Sequence, residues 1–374
     1  MPSWLKEGRG SLCGANVSLL LREMGITKPL LVAGERTKNV FFARTGMRLP
    51  VFDAFHPNPD LQDCVAGAAL YQEKGCDGLI SIGGGSAMDT AKGIKALLMT
   101  DIAHVRANQL PSEGNVPHLA IPGTAGTGAE TTAVAVLYEN GQKLSVDHLA
   151  LLPDGVLLDG SLLDTLPEYH RKSCTMDALA QGIESWWAKK ATPDSRIHAE
   201  RAIRGVLDNL TAYLQGDRKA QDEMLHAAYE SGVAILTTRT TAAHAMSYQI
   251  TKKLGAAHGH ACMLTLPHLW AHLAAQAEYQ PMLTELSRLL GGEKPMDGAI
   301  LLKGLLAVLE LDKIPMPDDA TLDMLAASVN PERLGNHPEA LTTAQLRAIY
   351  VQAFTPMTDT ERAEAIAAWE QYGK

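Results

Sequence analysis

The sequence is poor in the features that mark several common classes of protein. Its 374 residues include five scattered cysteines without CxxC spacing, a pattern typical of free thiols in a reducing cytoplasm rather than of a disulfide framework. No stretch approaches the ~20 apolar residues that span a bilayer, so we expect no membrane insertion. The first residues carry an acid and lack an apolar segment, so we expect no signal peptide.

Positive charge is also scarce. The 33 Lys and Arg residues stand against 42 Asp and Glu, which gives a formal net charge of -9. There is no basic tract and no alternation of arginine with aromatic residues, so the sequence argues against nucleic acid as a partner. A chain of this length with 46% hydrophobic residues is more typical of two globular domains than of one.

The first 160 residues alternate between strand and helix patterns. Residues 29–33 and 77–82 are short apolar runs that lead into glycine, and residues 61–74 between them have helical periodicity. This order predicts βαβ units and a parallel sheet. Asn140-Gly141 lies between two further strand patterns and predicts a β-hairpin with a type I′ turn.

The rest of the chain has a helical pattern. After Leu166-Pro167 the strand signals fade, and residues 178–189, 196–214 and 220–236 lack internal proline and favour helix formers. We therefore expect an α/β domain in residues 1–163, followed by an all-α domain in residues 164–374.

Two glycine-rich loops follow predicted strands of the first domain. Residues 83–86, Gly-Gly-Gly-Ser, open a helix that carries Asp89, and such glycines let backbone N–H groups approach a diphosphate at the helix N-terminus. Glycines also form ordinary turns, but a second loop, residues 122–130, adds Thr124 and Thr127. Together the loops favour a nucleotide site, although neither has the GxGxxG or Walker pattern.

The helical half contains a set of potential metal ligands. Asp177 and Gln181 are four residues apart and share one face of a predicted helix, and His244 and His258 follow later in the chain. One carboxylate, one amide oxygen and two imidazoles suit Zn²⁺ or Fe²⁺ better than Ca²⁺. Two distant histidines are more often structural, so the pattern alone leaves a metal site open.

Taken together, these segments resemble the iron-containing alcohol dehydrogenase family along essentially the whole chain. Residues 83–92 match its GGGSxxDxAK signature, and residues 122–130 are similar to its second loop, with departures at Gly123 and Ala129. The resemblance implies a dinucleotide-binding α/β domain and an all-α metal domain. It also implies hydride transfer between a nicotinamide and a carbonyl or alcohol, and a homodimer as the default assembly.

The resemblance also implies the metal ligands. Asp177, His244 and His258 match three ligand positions, but the fourth, a histidine in the family, is Gln181 here. A neutral amide oxygen is a weaker ligand than imidazole, so we expect lower affinity. The choice between Fe²⁺ and Zn²⁺, and the metal-free alternative, stay open.

Proton transfer and substrate binding need further side chains. Tyr248 or His260 could relay a proton, with mere packing as the alternative for both. The segments around the ligands look like the phosphonoacetaldehyde reductase branch, which makes 2-hydroxyethylphosphonate in phosphonate metabolism and antibiotic biosynthesis. A small anionic aldehyde needs cations, and Arg239 and Lys253 are candidates unless they are solvated surface charges.

Several alternatives to this substrate stay open. Phosphonopyruvate, succinic semialdehyde and maleylacetate are also anionic carbonyls, so the candidate cations do not separate them from phosphonoacetaldehyde. A dehydroquinate-synthase-like lyase would share the architecture but show no net change in nicotinamide absorbance. A non-catalytic nucleotide-binding scaffold would bind the cofactor without turnover of any aldehyde.

The adenosine end of the cofactor is usually recognised at the end of a strand of the dinucleotide-binding domain, where an acid favours NAD by bonding the ribose. Here that position is Gly34, with Arg36 and Lys38 just beyond it and Glu35 between them. Space and positive charge predict a preference for NADP(H) over NAD(H). The candidate cofactor-binding residues are Gly34, Gly84, Gly85, Ser86, Asp89, Thr124, Thr127 and Lys143.

Overall fold

The computed structural model describes residues 5–112 and 116–372, so Met1 to Trp4, on which the signal-peptide expectation partly rests, lie outside them. Its contacts divide the chain into two compact units, Met1–Thr165 and Leu166–Lys374, two residues beyond the predicted boundary. Among the described residues, no helix is both long enough and apolar enough to cross a membrane.

The first unit is an α/β structure. Its strands are β1 (Lys6–Arg9), β2 (Pro29–Ala33), β3 (Val51–Phe52), β4 (Gly78–Gly83), β5 (His118–Pro122), β6 (Val134–Glu139), β7 (Gln142–Asp147) and β8 (Gly155–Leu158). Its helices are α1 (Gly14–Glu23), α2 (Glu35–Thr45), α3 (Leu61–Lys74), α4 (Gly85–Met99) and α5 (Ile102–Arg106).

Six of these strands form one parallel sheet in the order β1-β8-β5-β4-β2-β3. Leu30 and Val32 of β2 belong to one apolar core, and Leu31 and Ala33 belong to another, because successive side chains of a strand point to opposite faces. The sheet is therefore covered on both faces, as the predicted βαβ order requires.

Strands β6 and β7 form a separate antiparallel hairpin. Asn140 and Gly141 connect them with positive φ angles of 51° and 73°, as a type I′ turn demands. The hairpin prediction is confirmed.

The loops after β4 and β5 lie side by side. The two strands are neighbours in register, with Gly83 opposite Pro122, and the Gly123 N–H donates to the Gly83 carbonyl at 2.7 Å. The two glycine-rich segments therefore meet at the carboxyl edge of the sheet, where parallel α/β proteins bind ligands.

The second unit is all-helical within the described residues. The three predicted helices are present, although the first begins ten residues earlier than expected, at Glu168 after Pro167. The helices are α6 (Glu168–Trp187), α7 (Pro193–Leu214), α8 (Arg218–Thr238), α9 (Ala242–Gln249), α10 (His258–Ala274), α11 (Gln280–Leu289), α12 (Asp297–Val308), α13 (Asp319–Ala327), α14 (Pro331–Leu334), α15 (Thr343–Phe354) and α16 (Asp359–Tyr372), and α9 continues into a π-helical turn (Ile250–Leu254).

Candidate metal centre and cofactor loops

Four side chains of the second unit converge on one point. One ligand atom from each of Asp177, His244, His258 and Cys262 lies within 4.8 Å of the other three. Asp177 is on α6, His244 is on α9, and the other two are one turn apart on α10. The sequence analysis identified the first three residues and missed Cys262, whose only signal was its position four residues after His258.

Hydrogen bonds orient both histidines. Nδ1 of His244 is bonded to the buried carboxylate of Glu184, and its Nε2 lies 3.1 Å from Asp177 Oδ1. The Ser247 hydroxyl donates to the His244 carbonyl, so its oxygen is left to accept from Nδ1 of His258 at 3.3 Å. A neutral imidazole with Nδ1–H engaged presents the lone pair of Nε2, which is the form that binds a metal.

The two acidic side chains of the cluster ionise more readily than their burial alone would allow. Burial opposes ionisation of Asp177, but the neighbouring His258 and His244 outweigh it and lower the pKa of that carboxyl. Burial likewise opposes ionisation of Cys262, yet the same two histidines lower the pKa of its thiol to about 7. Carboxylate, thiolate and two imidazoles are donors that divalent transition metal ions prefer, so the residues fit such an ion.

Gly259 allows α10 to pack closely against α6. A Cβ on Gly259 would lie 2.0 Å from the Ser173 carbonyl oxygen and 2.7 Å from Asp177 Cβ, far inside any real contact. Only glycine therefore allows the first turn of α10 to approach α6 this closely. The approach carries His258 to Asp177, with 3.8 Å between Nε2 and Oδ1.

The predicted ligand Gln181 lies beside the cluster with its amide engaged. Its Oε1 accepts from the Ser231 hydroxyl at 2.8 Å, and its side chain is also hydrogen-bonded to Asp177. Gln181 is buried on the same face of α6 as Asp177, as the spacing predicted. Its role as a ligand remains a prediction.

Tyr248 lies against the cluster. Its ring stacks on His258 with 6.0 Å between ring centroids and 6° between planes. The guanidinium of Arg333 lies 5.8 Å from the Tyr248 ring centroid, and its Nη1 donates to Thr240 Oγ1 at 3.2 Å. Arg333 is therefore a cation over the ring that stacks on His258, and nothing in the sequence pattern pointed to it.

The other proposed proton-transfer residue, His260, is occupied by structural contacts. Its Nε2–H donates to the Leu311 carbonyl at 2.8 Å, and its Nδ1 accepts from the Tyr169 hydroxyl at 3.1 Å. Both nitrogens are thus satisfied within the protein. These contacts agree with the packing alternative for His260, and its role in proton transfer remains a prediction.

The predicted substrate cations lie in different surroundings. Arg239 directly follows α8 and has a positive φ of 62°, and its Nη1 donates to the Leu236 carbonyl at 2.9 Å. Lys253 is exposed on the π-helical turn. Neither observation connects Arg239 or Lys253 to the cluster. Arg333, by contrast, contacts the Tyr248 ring, which stacks on His258.

In the first unit, the two glycine loops form a surface that fits a diphosphate. A Cβ on Gly84 would lie 3.2 Å from Thr124 Cγ2, and one on Gly85 would lie 3.5 Å from Thr127 Cγ2. Gly84 is the N-cap of α4 and provides no side-chain cap, so the backbone N–H groups of Gly85 and Ser86 are available to an anion. The predicted residues Gly84, Gly85, Ser86, Thr124 and Thr127 are thus brought together at one edge.

Asp89, on α4, interacts electrostatically with Lys143 of β7. Burial raises the pKa of Asp89 to about 6, against the attraction of Lys92 and Lys143 and a hydrogen bond from the Val136 backbone. Their place at the cofactor remains a prediction.

Near Gly34, where the adenosine end of the cofactor is predicted to bind, the positively charged side chains already have partners within the protein. A Cβ on Gly34 would meet no described heavy atom within 4 Å, so the space is there. Lys38 Nζ, however, lies 2.6 Å from Glu35 Oε2 and 2.7 Å from Asp53 Oδ2. Arg36 donates to a backbone carbonyl at 2.8 Å. Both cations are engaged by the protein itself, which weakens the charge argument for NADPH.

Comparison with known proteins agrees with this architecture. The sequence matches the family models for iron-containing alcohol dehydrogenase over residues 3–160 and for the C-terminal domain of that family over residues 172–354. It is 34% identical over 250 residues to the probable alcohol dehydrogenase EutG of Escherichia coli (strain K12), a match that covers 65% of this chain and 60% of EutG.

Two further relatives have named substrates. The phosphonoacetaldehyde reductase of Streptomyces viridochromogenes is 35% identical over 228 residues, which cover 57% of this chain and 58% of that protein. The crystal structure of sulfoacetaldehyde reductase from Bifidobacterium kashiwanohense in complex with NAD+ superposes with a TM-score of 0.85 at 26% identity, covering 95% of this chain and 97% of that one.

Proposed function

This chain belongs to the iron-containing alcohol dehydrogenase family of oxidoreductases, and on that premise we propose that it reduces a small anionic aldehyde to the alcohol. The substrate we favour is phosphonoacetaldehyde, which would give 2-hydroxyethylphosphonate. The observation that carries the proposal is the convergence of the ligand atoms of Asp177, His244 and His258 within 4.8 Å of one another. The likeness to phosphonoacetaldehyde reductase supports the choice of substrate.

Each cluster residue has a defined task in this reaction. When bound, a divalent ion supplies a Lewis acid for the carbonyl oxygen, and a reduced nicotinamide supplies the hydride for its carbon. Asp177 holds the cation with its charge, and Glu184 and Ser247 keep Nε2 of His244 and His258 turned toward it. The product also needs a proton, which we assign to the hydroxyl of Tyr248, because its ring stacks on His258.

The anionic group of the substrate needs a cation, and we assign Arg333 to it, ahead of Arg239 and Lys253. A planar guanidinium matches the oxygens of a phosphonate and can donate two parallel hydrogen bonds to them. Arg333 is also the cation over the Tyr248 ring, which in turn stacks on His258.

The hydride donor in this proposal is NADH or NADPH, bound by the glycine loops of the first unit. The preference for NADPH now depends on the space at Gly34, because Lys38 and Arg36 are engaged. A homodimer is the assembly we expect by default.

A carbonyl panel tests the function. The purified protein is assayed for NADH and NADPH consumption with phosphonoacetaldehyde, sulfoacetaldehyde, succinic semialdehyde and propanal, after loading with Zn²⁺ or Fe²⁺ and after chelation. We expect the highest kcat/KM with phosphonoacetaldehyde and loss of activity on chelation. An equal or higher kcat/KM with propanal would refute an anionic substrate, and no nicotinamide consumption with any aldehyde would refute reductase activity.

Sulfoacetaldehyde is the second candidate substrate. The observation in its favour is the likeness to a sulfoacetaldehyde reductase along nearly the whole chain. A sulfonate carries less negative charge than a phosphonate at neutral pH, so the ratio of the two kcat/KM values decides between them.

A further inference from the structure

We propose that Cys262 is a metal ligand of this protein, and that it takes the fourth position which the sequence suggests for Gln181. The resulting set would be one carboxylate oxygen, two imidazole nitrogens and one thiolate sulfur. The inference rests on the proposed metal-dependent function, because it concerns the same centre. Nothing in the family comparison assigns this cysteine a role.

The geometry of α10 supports the assignment. Cys262 follows His258 by one helical turn, so the two side chains share the face of α10 that lies against α6. Cys262 Sγ lies 3.9 Å from His258 Nε2, and it is within 4.8 Å of the ligand atoms of Asp177 and His244 as well. The thiol is fully buried, so its surroundings are these side chains rather than solvent.

The contacts of Gln181 point the same way. Its Oε1 faces the Ser231 hydroxyl at 2.8 Å, while its amide is hydrogen-bonded to Asp177. In this arrangement the glutamine positions the aspartate instead of offering its oxygen to the cluster. Rotation of the amide would exchange its oxygen and nitrogen, and Gln181 is included in the test for that reason.

Charge balance favours the thiolate over the amide. Asp177 and His244 are almost fully buried, at 3% and 4% exposure, and burying an uncompensated charge is costly. Asp177 with a Cys262 thiolate would neutralise a divalent ion, whereas Asp177 with neutral Gln181 would leave one positive charge. The thiol proton is released to solvent when the ion binds.

The donor set also selects the metal. A thiolate is a soft ligand, and a site with sulfur and imidazole nitrogens favours Zn²⁺ over harder ions. The His258 side chain is 38% exposed whereas that of Asp177 is 4% exposed, so the accessible side of the cluster is the side of His258. We therefore expect Zn²⁺ in the native protein, with the side of His258 left for substrate.

Cobalt substitution tests the ligand directly. The chelated full-length protein is titrated with one equivalent of Co²⁺, and we expect a near-ultraviolet thiolate-to-cobalt charge-transfer band that saturates at that ratio. Cys262→Ser should abolish the band, while Gln181→Ala and the control Cys174→Ser, on α6 one turn before Asp177, should keep it. A parent protein without the band, or a Cys262→Ser protein that retains it, would overturn the proposal.

X-ray absorption on the unmodified zinc protein provides a measurement that needs no variant to fold. We expect one sulfur scatterer at about 2.3 Å from zinc besides nitrogen and oxygen at about 2.0–2.1 Å. A first shell of nitrogen and oxygen alone would refute Cys262 as a ligand. Aldehyde reduction with such a shell would leave the proposed function intact, whereas a sulfur ligand without any aldehyde reduction would refute the function alone.

Discussion

The Glu184 carboxylate binds the backbone at the start of α9 and also orients the His244 ring. One carboxylate oxygen of Glu184 is bonded to Nδ1 of His244, and the other accepts the backbone N–H groups of Thr241 and Ala243 at 3.1 and 2.9 Å. The same side chain therefore holds the first turn of the helix and fixes which nitrogen of its histidine faces Asp177. Such acceptors behind a metal-bound histidine raise its basicity and keep its ring in place.

We expect Glu184→Gln to weaken metal binding by about 10–100-fold, because the neutral amide occupies the place of the carboxylate but no longer raises the basicity of the His244 ring. Competition between the protein and a chromogenic chelator for Zn²⁺ measures the effect. Glu223→Gln, an exposed change on α8, is the matched control and should leave the affinity unchanged. An unaltered affinity in Glu184→Gln would contradict a role for Glu184 in orienting His244.

Gly259→Ala should damage the metal centre by a steric route. The added Cβ would press on the Ser173 carbonyl and on Asp177, so α10 must move away from α6 and carry His258 with it. We expect a loss of about 1–3 kcal/mol in the free energy of unfolding and a lower zinc content. Gly34→Ala, whose Cβ meets no described heavy atom within 4 Å, is the control for both readouts. Full zinc occupancy in Gly259→Ala would show that the close approach is dispensable.

Substitution of Arg333 tests substrate recognition. Arg333→Ala should raise KM for phosphonoacetaldehyde by about tenfold or more, since a charge-assisted hydrogen bond contributes about 1.5–3 kcal/mol, and should leave KM for propanal unchanged. Arg333→Lys should recover part of the loss because it restores the charge without the planar fork. If Arg239→Ala gives the larger and substrate-selective effect, the phosphonate lies at Arg239 instead.

Cofactor choice should respond to the ion pair between Lys38 and Asp53. Asp53→Asn removes one of the two carboxylates that engage Lys38 and leaves only Glu35, so the lysine is held less firmly and is more available to a 2′-phosphate beside Gly34. We expect the ratio of kcat/KM for NADPH to that for NADH to rise, and to fall again in the double variant with Lys38→Ala. A ratio that stays constant across the three proteins would place the adenosine end elsewhere.

His337 should make the protein acid-sensitive. It is fully buried, and neither ring nitrogen has a hydrogen-bond partner among the described residues. Burial lowers the pKa of His337 from 6.5 to about 4. Between these values the unfolded chain binds a proton that the folded protein does not, so stability falls as the pH falls through this range.

The variant His337→Phe removes that titration and keeps an aromatic ring against Trp187. Urea unfolding of the metal-free proteins at pH 7 and pH 5 should show the variant gaining about 2 kcal/mol over the parent at the lower pH. His170→Phe, at an exposed position, should show no such gain. An equal pH dependence in His337→Phe and the parent would mean that His337 is protonated in the folded state.

The sequence alone determined the features that depend on residues close together along the chain. Strand and helix periodicity gave the parallel α/β unit and the helical unit, and Asn140-Gly141 gave a type I′ hairpin, because these patterns are local. The placement of Asp177 with Gln181 on one helical face was likewise readable, since residues four apart lie on the same side. Family membership came from motifs in the right order.

Tertiary structure decided which side chains meet. Cys262 looks like any buried core cysteine until α10 packs on α6, and His260, two residues from His258, turns to another side of the helix and to Leu311. Arg333 reaches Tyr248 across more than eighty residues of chain, and Lys38 meets Asp53 only because β2 and β3 pair. These contacts arise from packing between distant segments, for which periodicity and spacing carry no signal.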